Sequence, residues 1–296
     1  MGKHGECRCD FCKRDDGPYT FGPTSPRAVP PVGNAHFAGG SIVVLISAFR
    51  DPRCSQTVFN IFNRADRPER IHVTIVDQQI PLVDKFDCVA LYCALHEPKP
   101  CPNLERIQTL RVDARKAEGP IWARGLGTQM IKEEHDFCMQ IDAHTDFRNG
   151  YDELTLKTWA MTGNEYAVLS TYVGNIRTNM NANGDNIIGL PSHEVPKICR
   201  VIVGDHGLVR NHGADATECE AGPPLAALWG AGFSFAKCHY ERNVPNDPRL
   251  AGLFDGEEFA KSIRGFTKGY DVYTMHRPTI FHDYAGYPDD AVARAR

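Results

Sequence analysis

The sequence predicts an α/β fold containing parallel strand pairs flanked by helices. Three observations carry this. The run Ser41-Ile42-Val43-Val44-Leu45-Ile46-Ser47 is continuously apolar over strand length, which suits a strand covered on both faces. A helical segment follows, with Val58, Ile61, Phe62 and Ala65 on one face. The next apolar run, Ile71-His72-Val73-Thr74-Ile75-Val76-Asp77, reads as a second strand. Strand, helix, strand is the unit of a parallel sheet, because parallel neighbours need a crossover.

The remaining elements follow in order. Ser55 is positioned to cap the first helix, and Pro68 lies beyond its end. Leu110-Arg111-Val112 reads as a strand. Gly119-Pro120 opens a helix with proline at the tolerated first position and Trp122, Leu126, Met130 and Ile131 as its apolar face. A strand runs from Phe137 to Asp142, a helix from Tyr151 to Met161 and a strand from Tyr166 to Tyr172. The polar, Asn-rich stretch from Asn175 to Asp185 reads as a loop, and beyond residue 200 the pattern is irregular. Residues 1–40 form an irregular arm rich in Gly, Pro, Cys and charge, ahead of one domain over 41–296. His4, Cys7, Cys9 and Cys12 in the arm are candidate zinc ligands, although their spacing fits no common zinc module.

Composition narrows the function. A net charge of −4 gives no basic footprint for nucleic acid. No apolar run reaches membrane-spanning length, and the N-terminus has neither the apolar core of a signal peptide nor a myristoylation pattern. Eleven scattered cysteines, an odd number, read as reduced thiols in a cytoplasmic compartment rather than as a disulfide framework.

The chemistry concentrates where the strand Phe137-Cys138-Met139-Gln140-Ile141 ends in Asp142-Ala143-His144. Side chains at i and i+2 of an extended segment point the same way, so Asp142 and His144 can grip one cation. Ala143 has little bulk, which would let a large anionic ligand approach. His282 near the other end of the chain is a candidate third ligand. A carboxylate with imidazoles suits manganese, with magnesium and zinc as alternatives. The plainer reading is a carboxylate and an imidazole that cap a strand end. Ser47, Phe49 and Arg50 stand at the C-terminal end of the first strand, the edge where open α/β sheets bind ligands. Phe49 can stack on a base, and Arg50 can pair with a phosphate or a carboxylate. Arg124, just inside the helix opened by Pro120, suits an anion or an ion pair with a residue such as Glu118. Trp229 and Gly230 open an aromatic–small segment that fits either a sugar ring against the backbone or a tightly packed turn. Asp255, Glu257 and Glu258 crowd three carboxyl groups around Gly256, fitting either acid–base or hydroxyl-orienting work or the acidic first turn of a helix running to Arg264.

Taken in order, these segments resemble the UDP-GlcNAc-dependent polypeptide α-N-acetylglucosaminyltransferases, whose best-known members modify hydroxyproline on a cytoplasmic ubiquitin-ligase adaptor. The resemblance rests on Ser47 through Cys54, Gly119-Pro120 through Arg124, Gln140 through His144, Trp229 through Ala236, and a last block from Val244 to Tyr284. It implies a GT-A type glycosyltransferase fold, a Rossmann-like mixed central sheet flanked by helices. It also implies a divalent metal, usually manganese, a UDP-sugar donor, retention at the anomeric carbon, and a protein or glycan hydroxyl acceptor. Asp142, His144 and His282 would be the metal ligands, the Phe49-Arg50 turn would belong to the nucleotide pocket, and Asp255, Glu257 and Glu258 would line the sugar or acceptor site. Ala143 where the family often has Ser, and Asn246 where Tyr is common, bear on the acceptor rather than on the metal. The competing expectations are a metal-dependent nucleotide-sugar hydrolase or phosphotransferase, and a catalytically silent UDP-sugar-binding module.

Overall fold

The computed structural model describes residues 40–96, 98–184, 194–204, 207–218, 222–247 and 249–285. The candidate zinc ligands His4, Cys7, Cys9 and Cys12, with the rest of the arm, lie outside the described residues.

The first half of the chain builds the expected crossovers. β1 (Ile42–Phe49) leads through α1 (Cys54–Asn63) to β2 (Ile71–Gln79), and on through α2 (Cys88–Ala94) to β3 (Ile107–Asp113). Next come α3 (Pro120–Thr128), β4 (Phe137–Asp142), β5 (Thr145–Phe147), α4 (Tyr151–Met161), β6 (Ala167–Ser170), β7 (Gly174–Asn175) and α5 (Ile176–Asn179). The second half adds two hairpin-like pairs, β8 (Glu194–Lys197) with β11 (Asp215–Glu218), and β9 (Val201–Val203) with β10 (Val209–Asn211). It continues through β12 (Leu225–Ala226), β13 (Phe233–Lys237), α6 (His239–Asn243), α7 (Glu257–Thr267), β14 (Asp271–Tyr273) and β15 (Ile280–His282).

Eight strands form one sheet in the order β12-β14-β6-β13-β4-β1-β2-β3. β1 pairs in parallel with both β2 and β4, and β2 with β3. β13 is antiparallel to β4 and β6, so the sheet is mixed. The strand order reverses between β1 and β4, and this switch point opens a crevice at the C-terminal edge of the sheet. The apolar run of β1 is explained by burial on both faces: Ile42, Val44, Ile46 and Ala48 pack into one core cluster, Val43 and Leu45 into another.

Several expectations change. α1 begins at Cys54 with Arg53 as its cap residue, so Ser55 is a buried helical residue and caps nothing. α3 ends at Thr128, leaving Met130 and Ile131 in the following turn. Its buried face is Ile121, Ala123, Gly125 and Gly127 rather than Trp122 and Leu126, because small residues let the helix lie close on the sheet. A Cβ added at Gly127 would sit 3.6 Å from Val76. The strand from Tyr166 to Tyr172 contracts to Ala167–Ser170, and α5 stands where a loop was expected. The irregular region after residue 200 supplies three strands of the central sheet, each only two to five residues long and so without visible periodicity.

The cysteines are also corrected. Cys54 is bonded to Cys88, Cys93 to Cys101 and Cys138 to Cys238, where reduced thiols were expected. These bonds join α1 to α2, the end of α2 to the following loop, and β4 to the start of α6.

One buried ion pair lies off the crevice. Lys261 in α7 donates to both carboxylate oxygens of Glu241 in α6 at 3.1 and 2.8 Å, with side-chain exposures of only 2% and 3%. The ammonium also lies 4.7 Å from the centre of the Trp229 ring. Lys261→Met is expected to cost about 3–5 kcal/mol by leaving Glu241 charged and unpaired, whereas adding Glu241→Leu should restore most of it. Urea denaturation of the single and double variants measures this, and a single variant as stable as wild type would refute it.

Candidate active site

The crevice collects the carboxylate–imidazole cluster from both ends of the chain. Asp142 is the last residue of β4 and pairs in register with Ser47 of β1. The chain then turns at Ala143 and His144, so these side chains converge through a turn and not along an extended strand. Ala143 packs into the core and does not face a ligand. The residue without bulk beside the carboxylate is Gly232, where a Cβ would stand 3.4 Å from Asp142 Oδ2. His282 arrives on β15, which lies antiparallel to β5 with His282 opposite Thr145. Asp283 N–H also donates to the carbonyl of His144 at 3.0 Å.

One ligand atom from each of Asp142, His144 and His282 lies within 4.8 Å of the others. Donors at 2.0–2.6 Å from one ion stand at most about 4–5 Å apart, so the set fits a divalent cation. The chemistry agrees. His282 Nε2 is 3.3 Å from Asp142 Oδ2, and its buried Nδ1 has no hydrogen-bond partner among the described residues. The two imidazole rings meet edge to face with centroids 4.3 Å apart. Burial alone raises the Asp142 pKa. The hydrogen bond from His282 and the charges of Arg124, His282 and His144 outweigh it and hold the carboxyl at about 2. Asp142 is therefore ionised at neutral pH, the form that binds a cation.

Arg124 lies against the same carboxylate. One guanidinium nitrogen is 3.1 Å from Asp142 Oδ1, and the other reaches both oxygens of Glu257 at 2.6 Å. Its partner is the first residue of α7, not Glu118. Glu258 accepts from the Tyr172 hydroxyl at 2.8 Å and from the Ala231 N–H at 2.8 Å. Its carboxyl titrates above the ordinary range, chiefly because it is buried.

Other candidates are not brought into the cluster. Asp255 is half exposed and faces Arg210 at 3.9 Å, because Gly256 turns the chain into α7 just after it. Arg50 forks onto the carboxylate of Asp84 at 2.9 and 2.8 Å, so its partner is a carboxylate and not an open phosphate position. Phe49 and Ser47 are half-buried at the end of β1. Trp229 is fully buried and offers no face to a sugar. Gly230 donates to Ser170 at 2.8 Å, and a Cβ there would meet Ile198 at 2.8 Å. The packed-turn reading therefore holds for that pair.

The sequence reading missed Asp51. Its buried carboxylate lies 2.6 Å from His144 Nδ1. Burial raises its pKa, but the hydrogen bond and charge of His144, with Arg53, bring it down to about 2. An ionised carboxylate only accepts, so Nδ1 carries the proton and Nε2 is left for a metal. The available signal was its position two residues past β1, at the ligand-binding edge.

Comparison with known proteins agrees with this architecture. A solved structure of GalNAc-T7 with UDP, GalNAc and Mn2+ superposes with a TM-score of 0.59 at 15% identity, covering 84% of this chain and 45% of that one. The chain thus spans less than half the length of that relative. No curated protein matches it. The mixed sheet and its crevice define the GT-A type fold of glycosyltransferases. The chain belongs to the family described as Glycosyltransferase (GlcNAc), which matches residues 41–92 and 83–289.

Proposed function

We propose that the protein is a metal-dependent, retaining glycosyltransferase that moves GlcNAc from UDP-GlcNAc to a hydroxyl acceptor, a hydroxyproline or Ser/Thr of a protein. The observation that carries this reading is the convergence of Asp142, His144 and His282 at the switch point of the sheet, in a chain of this family. The donor set suits manganese, with magnesium as the alternative. These residues would hold a divalent cation, which when bound would supply neutralising charge for the diphosphate that leaves with uridine.

The chain's own residues do the rest. Arg124 adds a fixed positive charge beside Asp142 and is itself held by Glu257. Positive charge fixed before reaction stabilises developing negative charge without reorganisation. Glu258, anchored by Tyr172 and the Ala231 N–H, keeps lone pairs free to accept from sugar hydroxyls. In a retaining transfer without a carboxylate nucleophile, the acceptor oxygen attacks the face the diphosphate vacates. The acceptor proton passes to the departing phosphate oxygen.

Among the described residues no helix is long and apolar enough to cross a membrane. The three disulfides among the described residues favour a compartment that keeps thiols oxidised over the cytoplasm-like one expected from the scattered cysteines.

The test is UDP release from a panel of UDP-sugars with manganese, followed by mass spectrometry of hydroxyproline- and Ser/Thr-containing peptides. UDP-GlcNAc turnover with a glycosylated product is expected. UDP and free sugar with every acceptor would instead identify a hydrolase. UDP binding by calorimetry with manganese but no turnover of any donor would identify a silent binding module, and failure to bind UDP a scaffold of another kind.

A further inference from the structure

The first turn after β1 and the first turn of α1 grip both halves of the ligand cluster. Asp51 is buried and divides its oxygens between two tasks. Oδ1 accepts from the Arg53 N–H at 2.9 Å and from its Nε at 3.3 Å, while Oδ2 faces His144 Nδ1 at 2.6 Å. Arg53 Nη1 then reaches the carboxylate of Asp283 at 3.0 Å and the carbonyl of Ala285 at 3.2 Å. Asp283 follows His282 directly, and its own N–H donates to the His144 carbonyl.

Asp51, Arg53 and Asp283 thus form a polar chain running from behind one imidazole to the strand that carries the other. The turn is braced from both sides. Thr57 Oγ1 lies 2.8 Å from the carbonyl of Ala143 and 2.9 Å from that of Thr145, spanning His144. Cys54, fully buried, donates its N–H to the Asp51 carbonyl and is bonded to Cys88.

We propose that Asp51 is a positioning residue: it fixes the His144 ring and its Nδ1–H tautomer, and through Arg53 and Asp283 sets the spacing between His144 and His282. This rests on the reading of Asp142, His144 and His282 as metal ligands. A carboxylate behind a ligating imidazole orients the ring and raises its basicity, and its loss typically costs about 10–100-fold in metal affinity.

The experiment compares full-length wild type, Asp51→Ala, Asp51→Asn, Arg53→Met and Asp142→Ala. Mn2+ affinity is read by electron paramagnetic resonance, and the His144 Nδ1 proton by NMR of the metal-free protein. Thermal melts verify folding. Asp51→Ala should weaken Mn2+ about 10–100-fold and erase the downfield Nδ1–H signal. Asp51→Asn, nearly isosteric and still able to accept from Nδ1–H, should retain the signal and recover part of the affinity. Arg53→Met should give a smaller loss of affinity with the signal kept.

Wild-type affinity and an unchanged Nδ1–H signal in folded Asp51→Ala would overturn the positioning role. If that variant does not fold, Asp51→Asn and Arg53→Met decide together: Mn2+ affinity equal to wild type in both would overturn it. Asp142→Ala separates the two readings. Lost Mn2+ binding there, with Asp51→Ala unaffected, refutes only the positioning role. Unchanged binding in Asp142→Ala refutes the metal assignment itself.

Discussion

Asp142→Ala and His144→Ala are each expected to abolish manganese-dependent UDP binding while leaving the sheet intact. Asp142 offers the cluster's one carboxylate and stands in contact with His282 at 3.3 Å, so its removal deletes a ligand and a neighbour of a second. Loss of a residue merely behind a ligand costs about 10–100-fold in affinity, and loss of the ligand should exceed that. The fold should survive because Asp142 is the last residue of β4, beyond the buried ladder of Phe137 to Ile141. His144 lies in the turn that follows and is one-quarter exposed. Calorimetry of UDP with and without manganese, beside circular dichroism, measures both effects. Unchanged manganese-dependent turnover in both variants would refute Asp142 and His144 as metal ligands.

Arg124→Ala is expected to injure stability and activity together. The guanidinium is the partner of Glu257, which is 4% exposed, and of Asp142, which is 27% exposed. Removing it leaves a buried carboxylate unpaired, at a cost of about 3–5 kcal/mol. For a domain of this size that should lower the melting temperature by on the order of 10 °C. Arg124→Lys keeps the charge but cannot reach both carboxylates with one planar group, so an intermediate loss is expected. Adding Glu257→Gln to Arg124→Ala should recover stability but not turnover. A melting curve for Arg124→Ala equal to wild type would show that the pair contributes nothing to the fold.

Much of the sheet was legible because β1 is a largely continuous apolar run, β2 and β4 are mostly apolar over strand length, and α4 has clean ends at Tyr151 and Met161. The three proposed ligands were legible as residue types, and the fold does bring them together. What escaped depends on partners far away in the chain. Arg50 looks alike in sequence whether it meets a phosphate or Asp84. Trp229 looks alike whether its ring faces a sugar or Lys261. Asp51 reads as a solvated turn residue until His144 is folded against it. The cysteines were misread because pairing is set by Cα separation in the fold, here 4.8–5.3 Å, and not by spacing along the chain. β13 was invisible because five residues between a glycine-containing turn and the start of α6 leave no period to count.

The position of β13 has a consequence for how the molecule is made. β4 is flanked by β1, which precedes it, and by β13, which comes roughly a hundred residues later. During synthesis the unit β3-β2-β1-β4 can assemble as soon as its four strands have emerged, since chains fold from the N-terminal side first. Until Phe233–Lys237 follow, the outer edge of β4 is an unpaired template open to other chains. The segment that covers this edge is followed at once by Cys238, whose bond to Cys138 fixes the new strand to the old one. The same event brings Gly232 up to Asp142. Closing the vulnerable edge and finishing one wall of the crevice are a single step.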